Sequence, residues 1–568
     1  MKPYNWSIIL ITAIVLAVAA IILGLLGFVV LMSFSETEAG MLTGILTLEN
    51  YRELFDDPAI GRAALNTLLF AGGSVLIAAV FGLPLAWMIE RTDLPGKALL
   101  STLLTIGLLV PGFFGAMGWV LLLHPRIGMI NQWLVSWFEL STAPLPINSL
   151  FGMAWVEGLA LAPVFYLMTA SSLRSMDASL EEAAQMAGAS RLSMMRRIFL
   201  PLFLPGILAA SIFTFTTALG AFDVPGTIGL SSRILTFSTL LYIKTSAIEG
   251  LPNYSLPAAF GSVMLIFAIV LSLLYVRLLR RAHNFQVITG KAWRPQLSRL
   301  GIFRFAAWLF AGTYVALSFI IPMLLVGWSA LLPYYQPPSL RALGLVSLSA
   351  FAKVPWHLVM TGLGNSIIVA VIAPTLTLIG SFAFSLIVLR SRFRARFLLD
   401  GIAFLPHAVP GIIFALGAVL IALFALPQWV PLYGSVSIII IVNSIGWIAF
   451  GTRVMNTAIM QIHPELEESA LVCGATPFQS ITKILLPLLL PALASTWIWL
   501  ALLGLRELTR AVILVTGANI TLPVITWSLW NGGQLNLAAV IVLVNVTLFA
   551  PLLVFYFKQS ERTRLTGN

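Results

Sequence analysis

An all-α membrane protein of about twelve transmembrane helices, arranged as two parallel six-helix repeats, is the fold this sequence predicts. Three observations carry it. Only 9% of the 568 residues are charged while 59% are hydrophobic, where a soluble globular chain carries about a quarter charged. The apolar residues fall in uninterrupted blocks, and the second half of the chain repeats polar, glycine and proline positions of the first.

The first block, Trp6 to Met32, holds no charge. At about 1.5 Å per helical residue it spans the roughly 30 Å hydrocarbon layer. It is longer than a signal-peptide core and no small-residue cleavage site follows, so it reads as a retained helix. Further spans lie near 65–89, 98–122, 149–170, 202–222 and 256–279. The second half supplies 303–330, 364–388, 399–424, 434–456, 488–508 and 537–557. Open sheets are excluded, because each unpaired backbone group in lipid costs several kcal/mol.

Twelve spans put both termini on one side. One alternate set of loops holds 23 of the 32 Lys and Arg residues, among them Arg91, Arg196, Arg197, Arg280, Arg281, Arg390 and Arg453. Basic loops stay inside, so both termini of this multi-pass membrane protein are expected in the cytoplasm. The net charge of +11 is then a topology signal and a contact with anionic membrane lipid; nucleic acid is not an expected partner. The first outer loop is acidic, with Glu36, Glu38, Glu49, Glu53, Asp56 and Asp57.

The repeat is explicit. Asn66, Arg91 and Pro111-Gly112 recur 299 positions later as Asn365, Arg390 and Pro410-Gly411. Leu180-Glu181-Glu182, Gly188, Ile198, Pro201 and Pro205 recur 286 positions later as Leu466-Glu467-Glu468, Gly474, Ile484, Pro487 and Pro491. The change of offset places a length difference in an outer loop, where it is tolerated. Six spans per copy means both copies enter from the same side. The lobes are therefore expected at 1–281 and 301–568, joined by a basic cytoplasmic linker at 282–300.

No residue reads as catalytic, cofactor-binding or metal-ligating. Cys473 is the single cysteine, the five histidines show no ligand spacing, and nucleotide-binding motifs are lacking. The chain is not expected to be an enzyme.

The informative segments are the loops at about 171–200 and 457–486. Copy one reads Glu182-Ala183-Ala184, Gly188, Ile198, Leu200, Pro201; copy two reads Glu468-Ser469-Ala470, Gly474, Ile484, Leu486, Pro487. Good helix formers with acids in the first turn suit the helix dipole. The glycine permits a turn, a second short helix follows, and the prolines are read as opening the next span. A helix–turn–helix protruding from the membrane fits this pattern, and so does an amphipathic helix lying on headgroups.

This spacing resembles the signature loop of bacterial binding-protein-dependent ABC permeases, with one departure at Ser469. The resemblance implies a type I ABC importer fold with a coupling helix in each copy. Glu182 and Glu468 would anchor it on an ATPase subunit, Gly188 and Gly474 would make its turn, and Ala183, Ala184 and Ala470 would allow close approach. It further implies a cytoplasmic ATPase homodimer carrying ATP and Mg, a periplasmic or extracellular solute-binding protein, and no cofactor on this chain. Fused double permeases of this kind resemble ferric-iron, thiamine and phosphonate importers. Leu405 to Gly411, Ala221 to Pro225 and Leu505 to Leu508 are similar to iron permeases, which makes ferric iron the leading solute. An ion-coupled secondary transporter is the alternative of another class.

Within the membrane, Pro111-Gly112 and Pro410-Gly411 are candidate hinges or static kinks. Glu157 falls inside the fourth span, where an ionised carboxylate costs about 2.5–3.5 kcal/mol without a partner; ion coupling or an interhelical hydrogen bond would account for it. Asp223, Arg506, Glu507 and Arg510 are placed at outer span ends, either lining a gate or solvated at the surface.

Overall fold

Apolar length dictates the frame. The computed structural model describes residues 6–38, 41–174, 186–188, 190–246, 254–283, 297–391, 393–426 and 429–566. The first half contains α1 (Trp6–Ser33), a hairpin of β1 (Ser35–Glu38) and β2 (Met41–Leu46), and α2 (Pro58–Arg91). It continues with α3 (Lys97–Leu109), α4 (Gly112–Leu123), α5 (Leu150–Arg174), α6 (Leu200–Leu219) and α7 (Ser255–His283). The second half contains α8 (Phe303–Ala330) and α9 (Trp356–Arg390), then α10 (Arg396–Ala408) and α11 (Gly411–Leu420). After these come α12 (Val436–Gly446), α13 (Ile448–Met460), α14 (Glu465–Val472), α15 (Leu486–Leu505) and α16 (Leu535–Thr566).

Eight helices among the described residues are long and apolar enough to cross a membrane, and three bent pairs bring that to 11. The twelfth predicted span corresponds to α16, whose apolar stretch is Leu535–Leu548. The pairs are α3 with α4, α10 with α11, and α12 with α13, bent by 91°, 99° and 46°. Pro111 and Pro410 stand immediately before α4 and α11. These positions end one helix and start another, a larger change of direction than the kink the sequence suggests.

A second difference concerns Pro487. Pro201 stands at the start of the span Leu200–Leu219, as expected, but Pro487 does not open a span. Helix runs without a break from Pro477 through Leu505 in copy two, passing through a π-helical turn at Ile481–Leu485. Copy one has the same turn at Met195–Phe199. Proline lacks the N–H that an α-helical ladder needs, and the widened turn just before it absorbs that loss.

Within each half, helices approach closely. At Gly158 of α5 a Cβ would lie 2.6 Å from the Ile77 side chain and 2.8 Å from the Ser74 carbonyl of α2. In copy two the Thr377 hydroxyl of α9 donates to the Ser444 carbonyl of α12 at 2.9 Å. The first helix of each half lies across the other half: α1 packs on α9, α10 and α11, while α8 packs on α4. Tyr314 of α8 donates to the Leu159 carbonyl of α5 at 2.9 Å. The chain enters α8 through a short clamp on the end of α2. Ser298 N–H donates to the Arg91 carbonyl at 2.9 Å, Leu300 N–H donates to Asp93 Oδ1 at 2.8 Å, and Arg304 pairs with Asp93.

Candidate functional site

Two places gather the sequence-derived residues: the motif loops, and the centre of the molecule where the broken helices meet.

In copy two the loop is a helix–turn–helix. Glu465, Glu467 and Glu468 occupy the first turn of α14, facing the positive end of its dipole. The helix stops at Gly474, whose φ of +88° lies in the left-handed region that favours glycine. Thr476 and Gln479 then form a reciprocal capping box, with Thr476 N–H donating to Gln479 Oε1 at 2.9 Å and Gln479 N–H donating to Thr476 Oγ1 at 3.2 Å. Glu468 and Ser469 are exposed and Ala470 is half-buried. In copy one, Glu182, Ala183 and Ala184 lie outside the described residues. Gly188 is described, and its φ of +77° repeats the turn. Met186 and Val472, two positions before each glycine, are 90% and 87% exposed. Each copy therefore presents a bare apolar side chain beside its turn.

Arg390, a repeated position of the sequence, ties α14 to the membrane body. From the end of α9 it donates through Nε to Glu467 Oε1 at 2.9 Å and through Nη2 to the Ile462 and Ile459 carbonyls at 2.8 and 3.3 Å. The Ile459 carbonyl lies at the negative end of α13 and that of Ile462 just beyond it. The recurrence of Arg91 and Arg390 was the available signal; their spacing from the loops does not reveal a partner.

At the centre, each break faces the helix end of the opposite half. Arg506, just beyond α15, donates through Nη1 to the Leu108 carbonyl and, at 3.3 Å, to the Val110 carbonyl of the first break. Its repeat counterpart Gly220, just beyond α6, sits where a Cβ would lie 2.6 Å from Pro410 Cβ of the second break. Asp223 accepts from the Gly112 N–H at the start of α4 and from the Thr509 hydroxyl at 3.3 Å. Arg510 turns inward on its own half, donating to Asn443 Oδ1 at 2.9 Å and pairing with Glu507 at 3.7 Å. Glu157 is buried, with Asp223 and Arg506 the charges that bear on it. His407 of α10 stacks on Phe213 of α6 at 4.4 Å. The side chains of Arg510 and Glu507 are only 13% and 16% exposed, so the surface-solvated alternative for this group does not hold.

The repeat extends to smaller supports. Asn66 donates to the Leu235 carbonyl and Asn365 to the Ile520 carbonyl, both at 2.9 Å. Thr67 and Ser366 hydroxyls accept from Phe237 and Leu522 N–H at 2.8 and 2.9 Å. These contacts pin the short helices Phe237–Thr245 and Leu522–Asn531 against α2 and α9. Among the described residues no group of three or more His, Cys, Asp or Glu is placed to hold a metal ion.

Two copies of a six-span unit, each with a broken helix at the centre and a left-handed glycine turn in its motif loop, with a helix–turn–helix around that turn in copy two, define a membrane permease of paired lobes. The chain belongs to the family of binding-protein-dependent transport system inner membrane components, whose pattern it matches at residues 78–284 and again at 376–563. The Fe(3+)-transport system permease protein FbpB 2 of Haemophilus influenzae is 23% identical over 529 residues, 92% of this chain and 93% of its own. The ferric transport system permease protein FbpB of Actinobacillus pleuropneumoniae is 25% identical over 473 residues, 80% of this chain and 65% of its own. The molybdenum transport system permease protein ModB of Escherichia coli is 34% identical over 167 residues, 28% of this chain and 68% of its own. A solved chain of a bacterial ABC transporter that imports alginate matches at a TM-score of 0.34 with 21% identity, over 43% of this chain and 86% of that one.

The chain is thus an ABC importer permease of the inner membrane, a transport component and not an enzyme, in fused double form.

Proposed function

We propose that the solute is ferric iron, delivered by a binding protein and driven inward by an ATPase dimer that seats on the two motif loops. The observation that carries the iron reading is similarity to ferric permeases over both halves at once. In this reading the exposed Glu468 and its counterpart Glu182 bond to basic groups of the ATPase, both termini and the motif loops lie in the cytoplasm, and the Pro-Gly breaks act as hinges. One chain supplies both coupling loops, so one copy serves an ATPase pair.

A second reading, a molybdenum oxyanion, is favoured by the higher identity of its shorter match. Proteoliposomes carrying this chain, its ATPase and its binding protein separate the two. ATP-dependent uptake of radiolabelled iron(III) with no uptake of molybdate is expected. Molybdate uptake without iron would overturn the iron reading, and uptake driven by an ion gradient without ATP would overturn the ATPase reading.

A further inference from the structure

We propose that Arg506 is the positioning residue that holds the two lobes together at the first helix break, a latch whose release is part of each transport cycle. The inference rests on the transport role of the family and not on the identity of the solute.

The physical case begins with the break. In an unbroken helix the Leu108 carbonyl would accept from residue 112 and the Val110 carbonyl from residue 114. Here the chain turns by 91° at Pro111-Gly112, the Phe114 N–H bonds the Pro111 carbonyl, and the Gly112 N–H is taken by Asp223. Both carbonyls therefore need another donor, since a buried backbone acceptor without one costs about 1–3 kcal/mol. They also form the negative end of α3. A guanidinium is always charged and offers several donors in one plane, which suits two neighbouring carbonyls.

The donor comes from the other half. Arg506 lies at the end of α15, so its bonds to Leu108 and Val110 exist only while the two lobes are closed on each other. Its charge is bracketed by Asp223 and Glu157 of the first half. The same position in the first half is Gly220, which has no side chain to donate and packs against the ring of Pro410. One arm of the pseudo-symmetric seam is thus a directional, charge-assisted bond, and the other is simple packing.

Arg510 supplies the internal comparison, since its partners Asn443 and Glu507 belong to its own half. The test uses the full chain in lipid nanodiscs with Cys473→Ser. Spin labels go on cysteines replacing Ser231 and Gly517, exposed positions in the corresponding outer loops of the two halves. Pulsed electron–electron distances report lobe separation. Arg506→Ala should move most of the distribution to a longer distance, Arg506→Lys should move part of it, and Arg510→Ala should keep the parent distance. If Arg506→Ala does not yield folded protein, Arg506→Lys decides alone. Parent distances in the decisive Arg506 variant, or an equal displacement in Arg510→Ala, would overturn the latch.

Discussion

Asp223 and Thr509 occupy the same position of the two copies, 286 residues apart, and they are bonded to each other, the Thr509 hydroxyl donating to Asp223 Oδ1 at 3.3 Å. Two equivalent positions can touch only where the pseudo-two-fold axis passes between them. The axis of this permease therefore runs through an aspartate–threonine pair rather than through an open channel. The two partners are chemically unequal, which makes the centre asymmetric although the fold is repeated.

Thr509→Val removes one of the two donors to Asp223 and keeps the volume. A net loss of about 0.5–1.5 kcal/mol is expected for that hydrogen bond. Asp223→Ala also strips the Gly112 N–H of its acceptor and should be the worse variant, by about 1–3 kcal/mol more. Thermal unfolding of the purified chain in detergent checks the order. Equal losses would mean that the contact across the axis, and not the start of α4, dominates.

Arg390 and Glu467 form a charge-assisted pair with side chains only 22% and 19% exposed, worth about 1.5–3 kcal/mol. Glu467→Ala should lower thermal stability and weaken the link between ATP hydrolysis and uptake. Exchanging the two residues should restore only part of the loss, because a glutamate at 390 cannot donate to the Ile459 and Ile462 carbonyls. Full rescue by the exchange would show that those two backbone bonds are idle.

Glu468 is exposed and is expected to act outward. Glu468→Ala should leave the melting temperature near that of the parent while reducing ATPase binding or coupled uptake several-fold. Glu182→Ala should do likewise, and the double variant should be worst. The contrast with Glu467→Ala separates the two adjacent glutamates. Wild-type assembly and transport by the double variant would remove the docking role from both.

The sequence made the two repeats, the breaks and the glycine turns legible because each depends on local chemistry: apolar length, a proline without an N–H, a glycine at a turn. Partners across the molecule were another matter. That Arg390 takes Glu467 rather than Glu468 depends on where α13 ends, and that Arg506 serves a break 398 residues away depends on how two lobes face each other. The crossing of α1 and α8 to the opposite half was illegible for the same reason, since an apolar helix in lipid carries no address in its composition. The continuous rod through Pro487 was missed because a π-helical turn has no distinctive residue pattern.

Asp93 provides a pH test in a loop outside the spans. The hydrogen bond from Arg304, and then that from the Leu300 N–H, hold its carboxyl below the usual range. A depressed folded value gives stability that is fully present above the unfolded value of about 3.9 and is lost as pH falls through the folded one. The melting-temperature difference between the parent and Asp93→Asn should therefore be constant from neutral pH down to about 5 and shrink below about 4. A difference that vanishes near neutrality would assign the clamp to other groups.

Gly474 offers the sharpest test of the loop itself. Its φ of +88° costs a non-glycine residue about 1–2 kcal/mol, and nothing lies within 4 Å of where a Cβ would stand. Gly474→Ala therefore changes backbone preference without creating a clash. Asparagine tolerates the left-handed region better than alanine, so Gly474→Asn places a larger side chain in the same open space at less conformational cost. Binding of the detergent-solubilised permease to its ATPase should fall in the order glycine, asparagine, alanine, with alanine weaker by roughly 5- to 30-fold if the whole strain opposes the docked form. Gly188→Ala should behave in the same way, since its φ of +77° sets the matching turn. The two substitutions together should add, because the loops belong to different lobes and do not share a turn. An order that instead follows side-chain size, with asparagine worst, would mean that the ATPase surface closes on this position and that sterics, not the left-handed turn, keep it a glycine.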